Sequence, residues 1–194
     1  MTSTETNIIP PQERILVAAS ELFYVQGIRA TGIDGVISKS GVAKASFYKH
    51  FPSKDALIVA FLNRRDGIWR EWLRESVERL SPAPAGRPLA VFDALVERFS
   101  SEDFRGCAFI NSIVELANRD HAAHIAANDH KQQVTSYIAG LLELAGVSNP
   151  DSLAQEFIIL IDGAVVTALR EGRPDAGLSA KRVASILLRE ATKV

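Results

Sequence analysis

The chain is poor in the features that mark several large protein classes. It has one cysteine, Cys107, in 194 residues. A lone cysteine cannot close an intramolecular disulfide, so a stapled secreted scaffold is excluded and a reducing compartment is expected. No charge dominates: 22 Lys+Arg face 23 Asp+Glu, a net charge of -1. The chain as a whole therefore lacks the positive excess of a nucleic-acid binder. The first residues, Met1 to Pro11, are polar and contain no apolar signal-peptide core. The longest strongly apolar run, Phe157 to Leu169, contains Asp162 and falls short of the roughly 20 residues a bilayer span needs. These absences predict a cytoplasmic protein with no membrane partner. There is no HExxH helix, no Gly-rich phosphate loop and no plausible nucleophile–base pair, so no enzyme activity and no cofactor are expected. Alternating strand patterns are almost missing as well.

What remains is helical spacing. Pro10-Pro11 open a helix whose Ile15, Ala18, Ala19, Leu22 and Phe23 share a face, and Gly27 ends it. Thr31 is the expected cap of a short second helix carrying Ile33, Val36 and Ile37. A third runs from about Lys44 to His50. Ser53 caps a long fourth helix that starts near Lys54. Ser81 to Pro88 reads as a linker. Five further helices are expected at about Leu89–Ser100, Phe104–Asn118, His121–Ala145, Ser152–Glu171 and Ser179–Thr192. The fold class is all-α, about nine helices. A disordered tail over 1–10 precedes a domain over 11–55 and a helical body over 56–194.

Charge is uneven along this plan. Between Arg29 and Lys54 lie five basic residues, Arg29, Lys39, Lys44, Lys49 and Lys54, against one acid, Asp34. The same stretch holds two short helices around Ser40-Gly41-Val42, where Gly41 can adopt the left-handed conformation of a tight turn. Val42, Phe47 and Phe51 are spaced to lock the second short helix to its neighbours. This is the pattern of a helix-turn-helix, whose second helix enters the major groove of DNA. With Phe47 and Phe51 turned inward, the opposite face shows Lys44, Ala45, Tyr48 and Lys49, with Ser46 and His50 at its margins. Lysines neutralise phosphates or reach guanine edges, a tyrosine hydroxyl bonds phosphate, and a small Ala45 admits a thymine methyl. Lys54 and Thr31 stand at helix starts, where free N–H groups favour phosphate.

Around these residues the sequence resembles the TetR family of transcriptional regulators. The resemblance runs from about Arg14 to Leu62, through ERILVAASELFYVQGIRAT and GVAKASFYKHFPSKDAL. A second stretch, FRGCAFINSIVELANRDHAAH, is similar to one found in a large branch of that family. Ala43 stands where the family commonly has Ser, Phe47 where it often has Leu, and Ile37 where Ala is usual. The resemblance implies a repressor released from double-stranded operator DNA by a small-molecule effector, working as a homodimer. The effector would sit in the helical body, with Trp69, Phe92, Phe99, Phe109, Ile113, Tyr137 and Asp162 as candidate pocket residues. The family pairs its last two helices across a two-fold axis. Here the expected interface is Phe157, Leu160, Ile161, Ala164, Val165 and Ala168, with Val183, Ile186 and Leu187 on the last helix. The eighth helix is apolar on nearly every side, which independently requires burial on several sides. His121, His124, His130, Asp120 and Asp129 sit near one another in sequence, but Asp120 reads as a helix cap and no metal is expected. Cys107 reads as an inert thiol. An adaptor that had lost DNA binding would lack the basic residues of the third helix, and they are present.

Overall fold

The computed structural model describes residues 9–192. The tail expected over 1–10 falls mostly outside them. Among the described residues there are nine α-helices, one 3₁₀ turn and no strand. The helices are α1 (Pro11–Gln26), α2 (Ile33–Ser40), α3 (Lys44–His50), α4 (Lys54–Leu80), α5 (Arg87–Phe99), α6 (Ala108–Leu116), α7 (Ala122–Leu144), α8 (Pro150–Glu171) and α9 (Asp175–Ala191). The 3₁₀ turn, Pro84–Gly86, occupies the proline-rich linker. Pro11 and Pro88 each sit in a first helical turn, where the missing N–H costs nothing.

Two helices start four residues away from their expected positions. α6 begins at Ala108, not near Phe104, because Gly106 takes φ 77° and the backbone there is not helical. α9 begins at Asp175, four residues early, so Gly172–Pro174 suffices as the connection from α8. Gly172, at φ 67°, closes α8.

The chain forms two compact units. The first comprises residues up to 65 together with 111–126; the second comprises 66–110 and 127 onward. In the first unit α2 and α3 both pack on α1. Ile15, Ala19, Phe23, Val36, Phe47, Leu57 and Phe61 are buried, and Phe23 meets Phe61 edge-on at 5.5 Å. Their spacing along α1 and α4 turns one face of each helix inward, as the periodicity requires.

In the second unit α5, α8 and α9 pack on one another. Phe92 and Phe157 meet edge-on at 5.5 Å within this core. Here the expectation for the dimer face needs correction. Phe157, Ile161, Ala164, Val165 and Ala168 are buried inside their own chain. The hydrophobic stripe that looked free to meet a partner is the one consumed by the core. Leu160 and Leu187 are half-buried against that core. The apolar residues left outward on α8 are Ile159, 71% exposed, and Val166, 51% exposed, followed by Leu169. Val183 and Ile186 on α9 are exposed. α8 also exceeds its expected length: at 22 residues, with an 18-residue stretch of mean hydropathy 1.6, it is long and apolar enough by composition to cross a membrane. Its buried stripe assigns that apolarity to the core of the unit.

Among the candidate pocket residues, Phe92 and Phe99 belong to the core of the second unit, and Trp69 and Tyr137 pack against it. Phe92, Phe99 and Phe109 are buried, Trp69 packs on Trp72 with ring centroids 5.9 Å apart, and Asp162 is ion-paired with Lys131. Ile113 belongs to the first unit. Of the seven, Tyr137 borders an open cavity of about 270 Å³ between α4 and α7, alongside Arg70, Arg74 and Gln133. Burial, then the charge of Glu78, pushes the Tyr137 phenol up, so it stays a neutral hydrogen-bond donor there.

Candidate nucleic-acid interface

The turn between α2 and α3 is built from backbone needs. Gly41 caps α2 in the left-handed conformation, φ 61° and ψ 26°, and its N–H bonds the Ile37 carbonyl. A side chain at this φ is strained, so glycine is the residue that turns the chain here. The last carbonyls of α2 lack helical partners. Arg14 supplies one: its Nη2 donates to the Ser40 carbonyl at 2.6 Å and to the Gly41 carbonyl at 2.9 Å. A guanidinium from α1 thus fixes the turn that aims α3.

α3 is then held by its inward face. Phe47 is fully buried, with Tyr48 edge-on at 5.3 Å and Phe51 at 6.3 Å. The opposite face is open: Lys44, Ala45 and Lys49 are exposed, and Tyr48 is 43% exposed. Ser46 and His50 are half-buried at the edges. Lys44 lies 3.3 Å from Asp34 of α2, both largely exposed. An exposed pair of this kind is worth little, so Lys44 is available to a phosphate. Lys39 is similarly paired with Glu21 at 2.8 Å.

The start of α4 follows the expected plan. The Ser53 hydroxyl accepts the Ala56 N–H at 3.1 Å, and half-buried Lys54 is the first helical residue. Thr31 does not follow it. It is only 2% exposed, and its hydroxyl donates back to the Gly27 carbonyl at 2.8 Å. Gly32 occupies the position before α2. The Thr31 side chain is thus a buried brace for the loop, with no hydroxyl presented to a phosphate.

Sequence reasoning missed Arg14. It also missed Glu115, which closes the loop between α1 and α2 from far along the chain. Arg14 carried a weak signal, a cation beside an otherwise apolar face. Glu115 carried none, because its partner is a backbone N–H 86 residues away. Among the described residues no group of three or more His, Cys, Asp or Glu is arranged to hold a metal ion. His121 instead lies 3.5 Å from Asp55, and His130 is bonded to Asp66.

Known proteins match this architecture. The model of bacterial regulatory proteins of the tetR family matches residues 15–61, which spans α1 to α3 and the start of α4. SCO4454, a TetR-family transcriptional regulator from Streptomyces coelicolor, is 29% identical; the alignment covers 94% of this chain and 96% of that one with a TM-score of 0.85. A tetR-type regulator from Streptomyces avermitilis is 31% identical over 94% of this chain and 98% of its own, with a TM-score of 0.80. The HTH-type transcriptional regulator LmrA of Bacillus subtilis is 29% identical over 178 residues, 91% of this chain and 90% of LmrA. Similarity in sequence and fold over more than nine-tenths of this chain thus accompanies an exposed lysine- and tyrosine-bearing helix on a glycine turn, and the chain belongs to the TetR family of DNA-binding transcriptional regulators.

Proposed function

We propose that the protein is a repressor, held on operator DNA by α3 and released by a small molecule bound in its helical body. The observation that carries this reading is the orientation of α3: Phe47 is buried while Lys44, Ala45, Tyr48 and Lys49 face solvent on one side. A helix so presented fits the major groove, where Lys44 reaches base edges, Ala45 lies against a thymine methyl and Ser46 lets the backbone approach. Tyr48, Lys49, His50 and Lys54 contact phosphates. We assign DNA binding to residues 11–55 and ligand binding and dimerisation to 56–194, in the cytoplasm.

Two copies are needed to read two half-sites spaced by roughly 34–36 Å or a multiple. The outward apolar residues of α8 and α9, Ile159, Val166, Leu169, Val183 and Ile186, support pairing through these last two helices. For the effector, the cavity beside Tyr137 supports a small-molecule site in the second unit. Release works by population shift. The ligand must prefer the conformation that does not fit DNA, and the loss of DNA affinity cannot exceed that preference.

The test is a binding series. Duplexes selected by the full-length protein from a random pool are titrated at several salt concentrations, with Tyr48→Ala, Lys49→Ala and Lys54→Ala beside the unaltered protein. Each variant should bind more weakly, with a shallower salt dependence. Unchanged affinity in all three removes α3 from the interface. A thermal-shift screen of small metabolites, followed by the same titration, identifies a releasing ligand.

A further inference from the structure

The strongest unassigned feature is the hold that residues 111–126 have on the DNA-reading helices. These residues follow the helix-turn-helix by some sixty positions, yet they cluster with it in one compact unit. Glu115, in the last turn of α6, places Oε2 at 2.7 Å from the backbone N–H of Arg29. The loop receiving this bond runs from Gly27 to Gly32 and sets the direction in which α2 leaves α1.

Gly27 shows how close the approach is. A Cβ at this position would meet the two Glu115 carboxylate oxygens at 3.0 and 3.2 Å. With φ at 90°, the position also favours glycine for conformational reasons. Two residues beyond Glu115, Ala117 adopts φ 54°, the only positive φ at a non-glycine among the described residues. A left-handed alanine costs roughly 1–2 kcal/mol and persists where its surroundings over-determine it. On the far side of that residue, His121 lies 3.5 Å from Asp55 in the first turn of α4. The strained end of α6 is therefore held at both sides by the DNA-reading unit.

We propose that Glu115 is a positioning residue for DNA binding. By accepting the Arg29 N–H it fixes the loop before α2, and through α2 the aim of α3. Glu115 does not touch DNA. The proposal rests on α3 being the reading helix, and the control that separates the two ideas is the unaltered protein itself. If that protein binds no selected duplex, the reading of α3 fails before Glu115 is at issue.

The experiment compares full-length Glu115→Ala and Glu115→Gln on a duplex selected from a random pool by the unaltered protein. Glutamine keeps an oxygen acceptor for the Arg29 N–H but removes the charge; alanine removes both. We expect Glu115→Ala to weaken binding by about tenfold, the scale of one lost charge-assisted hydrogen bond. Glu115→Gln should restore most of that loss. The salt slope should be the same in all three proteins, because no phosphate contact is gained or lost. Affinity unchanged in a folded Glu115→Ala protein overturns the proposal. Equal tightening in both variants also overturns it, because that result marks a carboxylate repelling DNA by charge alone. If Glu115→Ala does not fold, hydrogen exchange of the unaltered protein decides: a protected Arg29 amide supports the bond, and an unprotected one overturns it.

Discussion

Asp66 and His130 meet at 2.7 Å, Oδ1 to Nδ1, beneath a face-to-face stack of His130 on Phe109 with ring centroids 3.5 Å apart and planes within 7°. Trp69 closes the imidazole edge-on at 5.2 Å, and the histidine is 2% exposed. Arg70 grips the same Asp66 carboxylate through Nε and Nη2 at 2.8–3.0 Å. Burial holds His130 down at about 4, against the opposing pull of the Asp66 hydrogen bond. For Asp66, burial pulls upward, but the bonds from Arg70 and His130 prevail and keep it below the usual carboxylate range. At neutral pH the pair is a neutral imidazole donating to a carboxylate.

This pair predicts acid sensitivity. Between the ordinary histidine value near 6.5 and about 4, the unfolded chain binds the proton and the folded one does not. Stability is therefore complete above pH 6.5 and falls as pH drops toward 4, by on the order of 3 kcal/mol from this group. Asp66 acts in the same direction below its ordinary value. Urea unfolding across pH 4–7 should show the slope, and His130→Gln, which keeps a donor for Asp66, should flatten it. A slope that survives the substitution assigns it to other groups.

A second prediction separates the two faces of α3. Phe47→Ala opens a cavity in the first unit and should cost about 3–5 kcal/mol of stability, taking DNA binding with it. Lys49→Ala should leave the unfolding midpoint within about 0.5 kcal/mol of its original value while weakening binding to every duplex. Paired denaturation and binding curves distinguish the two effects. Loss of stability in Lys49→Ala would place that side chain in the packing.

At the turn, Gly41→Ala should be disproportionately harmful. The left-handed φ alone costs about 1–2 kcal/mol. The new Cβ would also come within 2.8 Å of Arg14 Nη2, displacing the guanidinium that satisfies Ser40 and Gly41. Arg14→Ala should reproduce the second loss without the first. Because both changes act on one hydrogen-bonded cluster, a double mutant should cost less than the summed singles. Strict additivity in thermal unfolding would mean that the two residues act independently.

The exposed faces of α8 and α9 give a fourth. Ile159→Glu combined with Val166→Glu should convert a dimer to a monomer in sedimentation velocity without unfolding the chain, since both side chains lie outside the core. Phe157→Glu should instead unfold it, because an unpaired carboxylate would be buried. If the double variant sediments as the unaltered protein does, pairing uses another surface.

Much of this protein was legible in its sequence, for local reasons. Helical periodicity, prolines in first turns and glycines at helix ends are short-range signals, and they place the helices to within a few residues. The α2–α3 turn is equally local: Gly41, Val42 and Phe47 lie within seven positions and define both the bend and the inward face. Charge is local too, so the Lys44, Tyr48 and Lys49 face could be read before any coordinates.

Only tertiary structure decided which side of an all-round apolar helix is core. Periodicity gave α8 several hydrophobic faces of similar strength, and packing against α5 and α9 selected Phe157 and Ile161 for burial while leaving Ile159 and Val166 outside. Thr31 was drawn inward by a backbone carbonyl, and a side chain's preference for a cap cannot reveal that. The Arg14, Glu115 and Asp66–His130 bonds join residues 26, 86 and 64 positions apart. Hydrogen bonding at such separations leaves no period and no composition in the sequence, because the chain must fold before the partners exist.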